Sequence, residues 1–440
     1  AEGLPGRLVE RILGHTEGNP FYLEEVLRSL IDEGVIVQDM ATGRWQATRD
    51  VADITIPDTL QGVLLARIDR LQQETKRVLQ MASVIGRIFL YRLLAEIAHE
   101  EQLLDSRLLS LQQAEMIRER ARLPELEYIF KHHLTQEAAY NGLLKKERRV
   151  FHRQVGQALE RLFHDRLEEQ AGLLAYHWER ARDAEKAVKY LQQAGDAVRL
   201  AYAHEEAVDY YRRALAFQRE QRDHEGAGRT FMKLGVTFHS AFDYEASCQA
   251  YDEGFDLLQR AARARPAVEL PPAPHALRET LPDPSTLDPT KAAGVIENIY
   301  IDQLFSGLVE MSPELDVLPD VAHRWEVTDG GRKYVFYLRD DVCWSDGVPL
   351  TAQDFEYAWK RLLAPATGFL VASILFDIKG ARAFHQGEAA SADHVEVQAL
   401  DDRTLQVMLE HPTAYFLQLL TSSMGRPVPR HVVDAHGESW

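Results

Sequence analysis

The chain changes character near residue 270, and this change constrains its fold more than any other feature. Upstream, apolar residues recur at helical spacing, whereas downstream Gly-Asp turn signals separate short alternating strands. Between the two lies 261–276 (AARARPAVELPPAPHA), whose Pro and Ala content is typical of a stiff connector. We therefore predict a multidomain chain in which an all-α N-terminal half is joined to a mixed α/β C-terminal part.

Length, cysteine usage and charge narrow the class of protein. At 440 residues the chain has room for three or four domains. Cys248 and Cys343 are its only cysteines and fall on opposite sides of the connector, so the sequence predicts neither a disulfide scaffold nor a cysteine metal site. No apolar run reaches the roughly 18 residues that a membrane span needs, and we expect no membrane insertion. The net charge is −18, and 276–440 carries 13 basic against 25 acidic residues, or −12, which disfavours a nucleic-acid partner.

A helix start near the N-terminus carries the first recognisable phrase, Gly18-Asn19-Pro20-Phe21. Asn19 can cap free backbone N–H groups, and Pro20 suits the first helical position. GNPF resembles a segment near the end of the ATPase module in signal-transduction (STAND, AAA-type) ATPases. The resemblance implies that 1–55 is the end of such a module with its lid helices, and that Gly18, Asn19 and Pro20 lie close to nucleotide. A plain helix start remains the alternative.

The phosphate-binding part of an ATPase is not found in these 440 residues. They contain no GxxxxGK[ST] motif, so the backbone loop and lysine that would hold the phosphates are missing. We therefore expect no cofactor in this chain, and ATP only in a longer parent protein.

Residues 56–150 read as several short helices followed by a two-stranded hairpin near 116–118 and 127–130. This order predicts a winged-helix-like domain, and the region also resembles the one that follows such ATPase modules. His132 and His133 are adjacent, and His133 shares a helix face with Glu137. No third ligand has suitable spacing, so we predict no metal site.

Residues 151–262 repeat small and aromatic residues on helical stripes, as in Ala187 with Tyr190 and Ala207 with Tyr211. Helix pairs pack closely when small residues face large ones, which predicts tetratricopeptide-like helical repeats. We expect the aromatic rings to form the core of the repeats, and protein partners to bind through them.

The C-terminal part contains an ordered series of phrases: DPSTLDP, LFSGL, LPDVAHRWEV, YVFYLRDDVCWSDGVPLTAQDFEYAWKR and ALDDRTLQVMLEHPTAYF, with GESW at the end. Together they resemble the N-terminal portion of the family 5 solute-binding proteins of oligopeptide, dipeptide and nickel ABC transporters. The resemblance implies a linker over 263–280 and, over 281–440, an incomplete periplasmic-binding-protein-like lobe of mixed α/β fold without catalysis.

The same resemblance implies the ligand and its contacts. We expect an oligopeptide or similar small solute, with Ser306, Gly307, Phe369 and Val371 as binding residues. The family often has Glu where this chain has Ser306, so a carboxylate that could order the site is absent.

The two halves together suggest a function. Ala1 and Trp440 both fall inside recognisable modules, so we interpret the chain as a fragment of a multidomain sensory or regulatory protein. Its solute-binding module is expected to recognise a peptide-like ligand and to be coupled to the ATPase-associated helices. We do not expect the chain itself to be an enzyme. One alternative is a substrate-binding protein that serves an ABC permease for peptides, fused to helical repeats. Another is an interaction scaffold that binds no ligand.

No apolar signal segment precedes 283–289, so we expect both halves in the cytoplasm. The alternative is a periplasmic or other extracytoplasmic solute-binding part.

Overall fold

In the computed structural model the chain forms two compact units, Ala1–Tyr190 and Leu191–Trp440. No helix in the described part of the chain is both long and apolar enough to cross a membrane. The structure describes residues 4–39, 44–48, 59–98, 101–264, 283–292, 294–313, 315–367, 371–437 and 440, with the side chains of 101 and 102 excepted.

The first unit begins with two helices, a short hairpin and a third helix. Apolar side chains of these elements, among them Leu8, Val26 and Val63, are buried together in one core. The elements are α1 (Gly6–Thr16), α2 (Pro20–Asp32), β1 (Ile36–Gln38), β2 (Trp45–Ala47) and α3 (Leu60–Asp69).

A small antiparallel sheet follows, surrounded by helices. The expected hairpin forms as β4 (Ile117–Ala121) and β5 (Glu127–Phe130), and β3 (Ile88–Leu90), which the sequence did not indicate, pairs with β5 to give the order β3-β5-β4. The winged-helix assignment stays a prediction. The helices are α4 (Gln73–Ile85), α5 (Tyr91–Ala98), α6 (Glu101–Gln113) and α7 (His133–Asn141).

Six further helices continue to residue 264, and in three places a glycine on one faces an aromatic ring on the next. A Cβ atom at Gly156 would lie 2.7 Å from the Trp178 ring, and one at Gly195 would lie 2.7 Å from Tyr211; Gly235 faces Tyr251 in the same way. The rings of Tyr190, Tyr211 and Tyr251 are buried, as expected for core residues. The small residues that face rings in these three places are glycines and not the alanines that the sequence indicated, and the tetratricopeptide assignment stays a prediction. The helices are α8 (Lys145–Leu162), α9 (Ala171–Ala181), α10 (Ala184–Leu200), α11 (His204–Gln221), α12 (His224–Ser240) and α13 (Tyr244–Ala264).

From residue 283 the second unit is mixed α/β. Its main sheet is antiparallel with the order β10-β11-β9-β8, and β6 and β7 form a separate hairpin. The elements are α14 (Val295–Leu304), β6 (Val309–Met311), β7 (Val317–Pro319), β8 (Ala322–Thr328), β9 (Lys333–Leu338), α15 (Ala352–Leu363), α16 (Ala381–His385), β10 (Val397–Asp401), β11 (Thr404–Met408), α17 (Phe416–Leu419) and α18 (Arg430–His436).

The turn between β8 and β9 follows the sequence closely. Asp329, Gly330 and Gly331 all have positive φ angles, which is why the Asp-Gly-Gly signal marks a tight reversal here. Helix α14 ends at Leu304 because Phe305 turns extended at φ −123° and ψ 137°.

One face of the main sheet carries the core of the second unit. Strand register sets Trp325 opposite Phe336 and Phe336 opposite Leu405, and all three side chains are buried. Helix α15 packs against β10 and β11, while α13 packs against β8. The helix preceding 265 therefore shares a hydrophobic core with the sheet that follows 283.

Candidate functional site

The segment predicted to bind ligand lies just after α14, where the chain runs extended toward β6. The Gly307 amide donates a hydrogen bond to Asp320 Oδ2 at 3.0 Å, and the Ser306 hydroxyl also bonds to this carboxylate. The Val321 amide donates to the Gly307 carbonyl at 2.9 Å. Asp320 thus fixes the backbone of 306–307 while the Ser306 side chain remains exposed.

Arg426 supports this segment from the buried side. Its side chain is only 8% exposed, and its guanidinium lies 3.8 Å from Asp320 and 3.6 Å from Asp302. A Cβ atom at Gly307 would approach Arg426 Nη1 to 2.6 Å, so glycine allows the chain to pass this close. Burial raises the pKa of Asp320, although the Gly307 N–H and the Arg426 charge oppose the shift.

The other two predicted ligand residues have different surroundings. Val371 is half-buried, packs against the hydrophobic core and accepts a hydrogen bond from the Ile374 amide at 3.1 Å. Phe369 lies outside the described residues. Of the four, the structure brings together Ser306 and Gly307 through their common contact with Asp320.

Sequence reasoning missed a second polar cluster, built around Asp288 of the DPSTLDP phrase. Asp288 is 8% exposed; it accepts hydrogen bonds from the Thr290 amide at 2.9 Å and from Trp440 Nε1 at 3.2 Å, and it pairs with Arg361 at 2.8 Å. The Asp-Pro pair signalled only a turn, since partners up to 152 residues away are invisible to local spacing. The cluster ties the start of the lobe to α15 and to the end of the chain.

The GNPF segment is the start of α2. Asn19 Oδ1 accepts hydrogen bonds from the amides of Phe21 at 3.1 Å and Tyr22 at 3.2 Å, and Pro20 occupies the first helical position. The predicted helix start is therefore confirmed, whereas the closeness of Gly18, Asn19 and Pro20 to nucleotide stays a prediction.

The two adjacent histidines make separate contacts. The His132 ring packs on Phe21 with centroids 4.0 Å apart, and His133 Nε2 lies 3.1 Å from Glu137. Within the described ranges no three His, Cys, Asp or Glu side chains are placed to share a metal ion.

Comparison with known proteins identifies the C-terminal region. Residues 316–439 match the family model for bacterial extracellular solute-binding proteins, family 5. Two Escherichia coli K12 relatives are a probable deoxycholate-binding periplasmic protein, 44% identical over 36% of this chain and 30% of its own length, and a periplasmic oligopeptide-binding protein, 39% identical over 35% and 28%. This chain spans about 30% of the length of these relatives.

Two solved structures are also similar in sequence to part of this chain. The unliganded murein tripeptide-binding protein MppA is 38% identical over 36% of this chain and 30% of its own, with a TM-score of 0.34. The Haemophilus influenzae oligopeptide-binding protein in complex with the peptide RPPGFSPFR is 36% identical over 36% and 31%, with a TM-score of 0.35.

The predicted cytoplasmic location is wrong. The Escherichia coli relatives, the probable deoxycholate-binding, oligopeptide-binding and murein peptide-binding proteins, are all named as periplasmic. The prediction depended on the absence of an apolar signal segment before 283–289, and that absence does not determine where a solute-binding module works.

The comparisons give no support to the ATPase resemblance of the N-terminal half or to its coupling to a sensor. The C-terminal region, in contrast, matches the family 5 solute-binding proteins, which are not enzymes.

Proposed function

We propose that residues 281–440 form part of an extracytoplasmic solute-binding module that takes up a peptide-like ligand for an ABC permease. The observation that carries this proposal is the family match over 316–439 together with relatives named for oligopeptide binding. It replaces the sensory interpretation, which no comparison supports.

The segment 305–307 supplies a physical basis for peptide recognition. Extended backbone beside a strand can hydrogen-bond to an extended peptide, and such main-chain bonds recognise peptides of many sequences. Asp320 and Arg426 hold this backbone in place, so little ordering entropy would be lost on binding. We assign Ser306 and Gly307 to the contact with ligand. The Gly307 N–H and C=O are already bonded to Asp320 and Val321, so main-chain hydrogen bonds to a peptide would come from Ser306, and Gly307 would contribute only close contact. We extend the assignment to Phe369 and Val371 from the resemblance alone.

The expected affinity is low. Tight solute sites surround most of the ligand surface, and 281–440 corresponds to only part of the relatives' length. We therefore expect a dissociation constant of about 1 mM for this chain, which corresponds to roughly −4 kcal/mol.

The test is an NMR titration of the full chain with trialanine up to 10 mM, following the amide resonances of Ser306 and Gly307. We expect saturable shifts at both. Gly307→Val should abolish them because its side chain collides with Arg426, while Gln386→Ala, at an exposed position with ordinary backbone geometry in the same lobe, should leave them unchanged. No shift at 10 mM peptide would contradict the proposal.

A second solute class has its own support. The relative with 44% identity is named for deoxycholate, an amphipathic steroid acid. A parallel titration with deoxycholate, below its micelle concentration and without peptide, distinguishes the two solute classes. If the steroid binds at this segment, it should shift the amide resonance of Ser306 by itself. Saturation by deoxycholate and not by trialanine would favour this second class.

A further inference from the structure

The second unit contains a cleft of about 830 Å³ that is separate from the exposed side of Ser306. One wall comes from α12 and α13 and the other from the β6–β7 hairpin and the end of β9. Small-molecule sites commonly have volumes of about 300–1,000 Å³, so this cleft is of a suitable size. Its two walls belong to the helices before residue 265 and to the lobe that follows 283, which share one hydrophobic core.

Both walls of the cleft present hydrocarbon. Phe255 and Leu258 line it from α13, and Leu318 and Leu338 line it from the strands. In the β6–β7 register Glu310 is directly opposite Leu318, which places a carboxylate and an apolar side chain on one face. A molecule in the cleft would therefore meet both kinds of surface.

The charges in the cleft are unbalanced. Two ion pairs are internal to it, Arg229 with Glu225 at 3.1 Å and Arg339 with Asp341 at 2.8 Å. Among the described lining residues this leaves Glu310, Asp320 and Asp340 against Arg263. The Arg339 charge also acts on Asp320 and Asp340, and the Arg229 charge acts on Glu310, so acidic groups outnumber basic ones by five to three in the described lining.

Glu310 and Asp320 are two carboxyl groups affected by this excess of negative charge. Burial raises the pKa of Glu310 and the nearby Asp320 charge raises it further, although the Arg426 and Arg229 charges oppose the shift. The Arg426 guanidinium lies 3.8 Å from Asp320 from outside the cleft lining, and the Arg339 charge of the cleft wall acts on the same carboxylate. A positive charge placed between the two carboxylates would relieve their repulsion.

We propose that this cleft binds an amphipathic cation, a small molecule with one or two ammonium groups on a hydrocarbon frame. The ammonium group meets Glu310 and Asp320, and the hydrocarbon packs on Phe255, Leu258 and Leu318. Asp320 also accepts the Gly307 amide, so an occupied cleft would contact the same carboxylate that positions 306–307. The inference does not depend on which solute the exposed segment binds.

Calorimetric titration of the full chain at low ionic strength tests the ligand class. With 1,6-diaminohexane we expect a saturable isotherm with a submillimolar dissociation constant. The uncharged 1,6-hexanediol and the anion adipate have similar length, and neither should bind. Equal binding of the diol, or no heat from the diamine up to 10 mM, would overturn the proposal.

Two substitutions test whether the diamine binds in this cleft, and they should change its affinity in opposite directions. Glu310→Gln should weaken diamine binding about tenfold, because it removes one carboxylate from an ion pair with the ammonium. Arg263→Ala removes a repelling charge from the exposed end of α13 and should strengthen binding.

Glu388→Gln is the matched control, since Glu388 is exposed elsewhere on the lobe and should leave the affinity unchanged. Circular dichroism of each variant verifies that the fold is intact. An unchanged affinity in Glu310→Gln would exclude this cleft as the site.

Discussion

At the scale of single residues, the first unit buries two imidazoles against each other. His152 Nδ1 and His177 Nδ1 are 2.9 Å apart, both side chains are fully buried, and the Tyr140 hydroxyl lies 3.0 Å from His152 Nε2. One Nδ1 must donate and the other accept, so the pair requires at least one neutral ring. Burial, with Arg180 and Arg148 nearby, lowers the pKa of His152 to about 3, and burial lowers that of His177 well below its usual value.

This pair predicts loss of stability in mild acid. Unfolded histidines bind protons below pH 6.5, whereas these two resist protonation in the folded state, so the free energy of unfolding falls as the pH falls from 6.5 toward 3. Between pH 7 and pH 5 the loss should be about 2 kcal/mol for His152, and His177 should add a loss of the same sign. Hydrogen exchange of peptides from α8 and α9 in a urea series at the two pH values measures it.

Substitution identifies the origin of the effect. In His152→Gln the difference between pH 7 and pH 5 should shrink by about 2 kcal/mol. His164→Gln changes an exposed histidine and should retain the full difference. An equal pH effect in the parent protein, His152→Gln and His164→Gln would show that the buried pair is not responsible.

Residue contacts also mark the limit of sequence reasoning. Asn19 and Pro20 act through neighbours two or three positions away, and the sequence was sufficient to predict their helix start. Asp320 and Arg426 meet Gly307 only after the chain has folded back over 13 and 119 residues. No spacing rule connects such positions, so the binding phrase was recognisable from the sequence while its supporting charges were not.

At the scale of elements, the helices of 145–264 depend on close packing at glycine. Gly195 faces Tyr211 and Gly235 faces Tyr251, so each glycine precedes its ring by 16 residues, and the two pairs are 40 residues apart. Periodic small and aromatic residues were visible in the sequence, and the helices form where they predicted. The sequence did not show which small residue meets which ring, because this depends on how adjacent helices cross.

We predict that Gly235→Ala destabilises the second unit. The added methyl group would overlap the Tyr251 ring, which is buried on all sides, and such overpacking costs about 1–3 kcal/mol. Gly14→Ala is the matched control: this helical glycine has no heavy atom within 4 Å of an added Cβ, and alanine should be neutral or stabilising by about 0.5–1 kcal/mol there. Urea unfolding followed by circular dichroism compares them, and equal effects would contradict the packing argument.

At the scale of the whole molecule, the composition break near 270 does not separate two cores. Tyr251 and Phe255 of α13 pack edge-on against Trp325, with ring centroids 5.2 and 4.8 Å apart. Lys233 of α12 is 7% exposed and lies 2.7 Å from Asp196 and 3.4 Å from Asp316. Helical periodicity predicted the helices before residue 265, and strand alternation predicted the strands after 283. The surface between these helices and strands is formed by residues on both sides of the connector, so neither pattern alone could predict it.

The shared core predicts how the chain behaves when it is cut between 264 and 283. A specific protease site placed after Pro272 should allow complete cleavage, yet the two pieces should elute together in size-exclusion chromatography. The aromatic contacts and the buried Lys233 pair hold them without a covalent link.

Phe255→Ala removes one of these rings at a cost of about 3–5 kcal/mol and should let the cut pieces separate, whereas Tyr202→Ala, at an exposed ring, should not. Separation of the cut parent protein without denaturant would mean that helices and lobe fold independently, and the cleft between α13 and β6 would then lose its second wall.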